Sequence, residues 1–199
     1  MKTDFKTASV AAAAAVLGAF LSFTTAHAVE PSAPPVAQDS TTPPVGNTQF
    51  NDAEILGWVL VLDSNELAAG QLAATKKISP KVKAYAKMLR EQHREDLKAT
   101  KKLAGKLKVV PVSNPVTDGL RSKGAQELAA LSSKDGAEFE TAYLDAMVQG
   151  HSEALTAIDG ELLPKSVAKD TKKHLTELRK HVEKHLEHGK HLQGAAAPK

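Results

Sequence analysis

Apolar residues recur at spacings of three and four along four long stretches of the chain, the period of helices with one buried face. From Asn51 to Thr75 the face reads Leu56, Val59, Leu60, Leu67 and Ala74, and Asn51 or Asp52 is placed to cap it. A second helix is expected from Ser79-Pro80, a capping residue followed by proline at the first helical position, to about Gly105. Its face is Val82, Ala86, Leu89, Leu97, Thr100 and Leu103. Pro111 and Pro115 then force Val109 to Pro115 into extended backbone, and Thr117 or Asp118 caps a shorter helix to Leu131. A third long helix is expected from Gly136 to Leu163, before Pro164, with Phe139, Tyr143, Ala146, Met147, Gly150, Ala154, Leu155 and Ile158 inward. The fourth runs from about Ser166 to Leu192, with Val167, Thr171, Leu175, Leu178, Val182 and Gly189 inward. No strand pattern stands out, since Val109 to Val112 is short and punctured by proline. Two helical pairs with short turns, joined by a crossover of about thirty residues, predict an all-α four-helix bundle with a long crossover that contains a short helix.

The ends of the chain read differently. Lys2 and Lys6 precede an apolar, alanine-rich run from Ala8 to Phe23, and Ala26 and Ala28 form the small-x-small pattern of a signal peptidase site. Residues 1–28 are therefore expected to be a signal peptide cleaved after Ala28, and the protein to be periplasmic. The alternative, an uncleaved anchor, needs a longer apolar run of roughly 20 residues, and no transmembrane segment is expected after cleavage. Residues 29–50 hold five prolines among Ser, Thr, Ala and Gln and predict a disordered, rather stiff linker. The bundle domain is expected over 51–193, with a flexible tail over 194–199.

The chain has 199 residues and no cysteine, which removes disulfides, thiolate chemistry and a lipid-acceptor residue. Its 26 Lys+Arg and 23 Asp+Glu are interspersed, which argues against nucleic acid as a partner. A homodimer and a peripheral association with the envelope are both compatible with this surface.

Histidine is the residue type that changes the picture. His93 lies in the row Val82, Ala86, Leu89, His93, Leu97, and His151 in the row Met147, His151, Leu155, Ile158. His185 follows Leu178 and Val182, while Asp63 and Glu66 lie one turn apart on the first helix. If the crossover returns the chain so that the second and third helices run parallel, His93 and His151 fall at one height, at about 1.5 Å of rise per residue. On the same count Asp63 and His174 share that level, Glu66 and His181 lie a turn higher, and His185 higher again. Imidazoles and carboxylates converging from facing helices are how bundles hold transition metals such as Zn, Cu, Ni or Fe. The Glu-x-x-His pairs of di-iron bundles are absent, since Arg90, Val148 and Val182 stand three residues before these histidines. Buried histidines held by a carboxylate or a carbonyl, with no metal, fit the same pattern. His174, His181, His185 and His188 also form a stripe on the last helix that suits weak metal binding or a polar, pH-sensitive margin.

Four runs together resemble a known family: Asn65 to Ala73, Val82 to His93, Tyr143 to His151, and Val182 to Leu186. The family is the bacterial domain of unknown function 4142. The resemblance covers about Phe50 to Leu192 and implies a ferritin-like four-helix bundle in a periplasmic or outer-membrane protein. It also implies Glu66, His93, His151 and His185 as the site residues. The family usually has an acidic residue before the histidines of the second and third helices, where Gln92 and Gly150 stand here. That departure removes a carboxylate expected to orient each imidazole.

No nucleophile constellation or phosphate-binding glycine loop is present in the sequence. Two readings follow. One is a non-catalytic accessory or binding protein of the envelope, linked to stress. The other is a His/carboxylate metal-binding bundle with a redox or sequestering role, using Glu66, His93, His151 and His185, with Asp63, His174, His181 and His188 as further candidates.

Overall fold

The computed structural model describes residues 50–196. The expected signal peptide, all of the expected linker but Phe50, and residues 197–199 lie outside that range. The described chain forms α1 (Asp52–Thr75), α2 (Pro80–Leu107), α3 (Pro115–Ser132) and α4 (Gly136–Ala157). A π-helical turn (Ile158–Leu162), a single turn α5 (Leu163–Lys165) and α6 (Lys169–Ala196) follow. There is no strand among the described residues. None of their helices is long and apolar enough to cross a membrane.

The caps explain the boundaries. Asn51 Oδ1 accepts from the Ala53 and Glu54 amides while Glu54 accepts from the Asn51 amide, a reciprocal pair that starts α1. The Ser79 hydroxyl caps α2 ahead of Pro80, as its sequence suggests. The cap of α3 is Asn114, not Thr117 or Asp118: its Oδ1 accepts from the Thr117 amide at 2.9 Å, and Pro115 becomes the first helical residue. Pro164 sits at the start of α5 and does not end the helical path, because the π-helical turn before it already absorbs the register change. α6 begins at Lys169 and runs to Ala196, past the expected end near Leu192.

Side-chain contacts set the directions. Tyr85 meets Tyr143 and His93 meets His151, so α2 and α4 run parallel in one register. His185 and His188 meet His93 and Tyr85 in reverse order, and Lys106 pairs with Asp170, so α6 is antiparallel to α2. α3 returns alongside α1 in the same direction, with Asn65 donating to the Leu120 carbonyl and Lys76 to that of Ser132. This is a ferritin-like four-helix bundle of α1, α2, α4 and α6, with α3 in the long crossover. The extended segment before α3 crosses α1 so closely that a Cβ at Gly57 would lie 2.1 Å from the Val112 carbonyl oxygen.

Two apolar clusters form the core. One gathers Val82, Tyr85, Leu89, Phe139, Tyr143 and Met147 with the C-terminal half of α1. The other gathers Phe50, Ile55, Trp58, Leu62, Ile158, Leu175 and Val182. On α1, α4 and α6 the buried Asp63, Glu66, His151 and His185 fall between these clusters in sequence, and on α2 the buried His93 follows the first cluster and precedes Asp96 and Thr100. A polar layer thereby lies between the two clusters and continues along α2 through Asp96 and Thr100.

Candidate metal centre

Rows of residues four apart carry two of the imidazoles inward. Tyr85, Leu89 and His93 are buried in one line on α2, and Phe139, Tyr143, Met147 and His151 in one line on α4. On α6, Leu178 and Val182 precede His185. The three rings form a triangle with centroids 5.7 Å (His93–His151), 5.1 Å (His93–His185) and 5.3 Å (His151–His185) apart. One nitrogen from each lies within 4.8 Å of the other two, and the residues are 0%, 2% and 4% exposed.

Hydrogen bonds fix which nitrogens remain. His93 Nδ1 lies 2.9 Å from Asp63 Oδ1, and a carboxylate can only accept, so Nδ1 carries the proton. His151 Nδ1 donates to the Met147 carbonyl at 2.7 Å. In the neutral rings this leaves a lone pair on each Nε2. Among the described residues, His93 Nε2, His151 Nε2 and His185 Nδ1 are buried without a partner, as are Glu66 Oε2 and Asp63 Oδ2. Glu66 Oε1 lies 4.0 Å from His151 Nδ1.

Burial decides the charge state. It pushes His185 down to about 2, with the positive charges of His93 and His151 adding to the effect. It pushes His151 down as well. Burial also opposes the charged form of His93, but the hydrogen bond to Asp63 and the charges of Glu66, Asp63 and Asp96 outweigh it and raise its pKa. Desolvation lifts the Asp63 carboxyl to about 6, against the pull of His93. Two imidazoles are thus held neutral, the form that binds a metal.

The donor set fits an ion. At nitrogen–metal distances of about 2.0–2.1 Å, tetrahedral ligands lie roughly 3.4 Å apart, so closing the triangle moves each nitrogen by less than about 1 Å. Glu66, on the fourth helix of the layer, lies beside the triangle, with Oε1 4.0 Å from His151 Nδ1 and Oε2 buried and unpartnered among the described residues.

Other candidate residues lie elsewhere. His181 Nδ1 sits 3.1 Å from Asp96 Oδ2 and from Gln92 Nε2. His174 Nε2 sits 2.8 Å from the Thr100 hydroxyl. His188 is exposed, with its ring edge-on to Tyr85 at 4.9 Å. The count of heights therefore placed His174 where His185 stands. Counted from the turn that joins α4 to α6, His151 lies 14 residues before Lys165 and His185 lies 16 after Lys169, so these two are level. Gln92 and Gly150 do not leave the imidazoles unheld, because Asp63 reaches across from α1 to one and the Met147 carbonyl takes the other. Sequence reasoning missed Asp96 and Tyr85. Asp96 shares a second group with Asp63 and His93, and its spacing of three from His93 was the available signal. The Tyr85 hydroxyl donates to the His185 carbonyl at 2.9 Å, two turns before His93 on the same face.

A family model described as a domain of unknown function, DUF4142, matches residues 35–192. No curated protein matches the chain. Two solved structures share its fold. A DUF305 protein of Streptomyces coelicolor, named as secreted, is 14% identical with a TM-score of 0.63, covering 74% of this chain and 94% of that one. A DUF305 fragment of Deinococcus radiodurans is 14% identical with a TM-score of 0.64, covering 75% and 97%. At this identity the likeness shows the fold alone.

Proposed function

This chain belongs to the DUF4142 family, and we propose that it is a non-catalytic binding protein that holds one transition-metal ion between His93, His151 and His185, with Glu66 as the fourth ligand. One observation carries the reading: three buried imidazoles from three helices bring a nitrogen each within 4.8 Å of the others, and each ring has a buried nitrogen without a partner among the described residues. A purely structural polar layer would satisfy these atoms, because each buried polar group left alone costs about 1–3 kcal/mol. A metal ion satisfies all three at once. Neutral imidazoles with one carboxylate suit Zn(II), Cu(II), Ni(II) or Fe(II).

The test is titration calorimetry on metal-free protein prepared without a His-tag. One equivalent of Zn(II) or Cu(II) binds per chain, and the heat disappears in a His93→Ala/His151→Ala double variant whose helical circular dichroism is unchanged. No heat with any of the four ions overturns the reading.

The same reading places the protein outside the cytoplasm, with residues 1–28 removed by signal peptidase. The alanine-rich N-terminus supports it, as does the secreted naming of a protein with this fold. Intact mass of protein taken from its native cells then begins at Val29. A mass that retains residues 1–28 refutes the cleavage.

A further inference from the structure

A sealed site needs a way in. An ion surrenders its water shell only as protein ligands replace it, so the path to the triad must offer oxygen or nitrogen atoms from the solvent inward. Two hollows of about 200 Å³ or more approach the polar layer. The larger, about 500 Å³, lies between α2 and α6 and reaches Asp96, His174 and His181. Its acids Asp96, Asp170 and Glu177 are matched by Lys102, Lys106 and Lys173, and Asp96 is already held by His181 and Gln92. His93 does not line that hollow, and its inner residue Asp96 groups with Asp63 and His93 but not with His151 or His185.

The smaller hollow, about 200 Å³, opens between α1, α3 and α4. It contains Glu66, Glu127 and Glu153 against one cation, Lys123. Side-chain exposure grades these carboxylates from outside inward: 51% for Glu153, 37% for Glu127 and 9% for Glu66. Glu66 ends the row inside the polar layer with Oε2 unpartnered. Lys123 bridges the outer pair, ion-paired with Glu153 and 3.7 Å from Glu127. Beside the inner end stands Gly150, where even a Cβ would touch Glu66 Oε1 at 3.6 Å. The missing side chain leaves that carboxylate reachable.

We infer that metal reaches the buried triad through the opening between α1, α3 and α4, passed from Glu153 and Glu127 to Glu66, and that Lys123 occupies the outer carboxylates until a divalent cation displaces it. This rests on the proposed metal reading and deepens it. The exchange is electrostatic and balanced: a lysine ammonium leaves two carboxylates for water, and the cation takes its place. The charge on Glu127 is already costly there, through burial and the neighbouring Glu66 and Glu153, so an arriving cation is favoured.

The opposite signs of two variants test it. Co(II) is mixed with the metal-free mature protein in a stopped-flow instrument, and the visible absorption of nitrogen-bound Co(II) is followed. A Glu127→Gln/Glu153→Gln variant takes up Co(II) about tenfold more slowly, and Lys123→Ala about threefold faster, the range expected of local electrostatic steering. Final affinities by equilibrium dialysis stay within about threefold of the parent, since neither variant touches a triad ligand. His181→Ala, in the other hollow, loads at the parent rate. Parent rates in both the Glu127→Gln/Glu153→Gln and the Lys123→Ala variants, or slow loading in His181→Ala, overturn the route while leaving the site intact. No nitrogen-bound Co(II) in the parent protein overturns the site and the route together.

Discussion

What separates a ligand from a packed histidine is the ring nitrogen left over after the first has found its partner. His93 spends Nδ1 on Asp63 and His151 spends Nδ1 on the Met147 carbonyl, and none of the described residues meets either Nε2. Such a layer carries a pH signature in the metal-free protein. The native values of His151 and His185 lie below the unfolded one, that of His185 at about 2 against 6.5. As pH falls below the unfolded value, the unfolded chain takes up these protons first and stability is lost. Asp63 and His93 act the other way, since their native values are raised and the native state keeps their protons longer. On this account of the layer, the loss from His151 and His185 between pH 7 and 5 outweighs the gain from Asp63 and His93. The melting temperature of the metal-free protein is therefore lower at pH 5 than at pH 7, read by circular dichroism. An equal or higher midpoint at pH 5 would contradict this account of the layer.

At the scale of elements, legibility followed the number of faces each helix buries. α2 and α6 bury one stripe, and their periodicity predicts it well: Val82, Ala86, Leu89 and Thr100 on one, Thr171, Leu175, Leu178 and Val182 on the other. α1 packs between α2 and α3 and buries Ile55, Trp58, Leu62, Ala69 and Ala73 in addition to Leu56 and Val59, while Leu60, Leu67 and Ala74 are not fully buried. A helix covered on two sides has no single stripe to read. Val167, taken as inward, is 82% exposed because α6 starts after it. His93 and His151 were legible because each continues an apolar row. The place of His185 was not, because it depends on where the connection between α4 and α6 turns the chain, at Lys165 to Lys169. Gly57 offers a check on the crossover. In an ordinary helix, glycine to alanine gains about 1 kcal/mol. Here the Cβ meets the Val112 carbonyl at 2.1 Å, and Gly57→Ala is expected to destabilise by about 1–3 kcal/mol as the segment before α3 is forced away. A denaturant midpoint at or above the parent's would mean that the crossover yields without cost.

For the whole molecule, what matters is how far along the chain the site is assembled. Asp63 and His93 come from the first helical hairpin and His151 from α4, while His185 arrives only on α6. The Tyr85–His185 bond, which pins that last helix, joins residues 100 positions apart. Contacts of such separation close late in folding, because the loop they span must first be ordered. A half-finished chain holds one imidazole on its orienting carboxylate but no enclosed triangle. A chain threaded unfolded across a membrane from its N-terminus would have to bring its C-terminal helix through before the last ligand could take its place. The identity of the bound metal would then be decided by the ions available where folding finishes, and not by those where the chain is made.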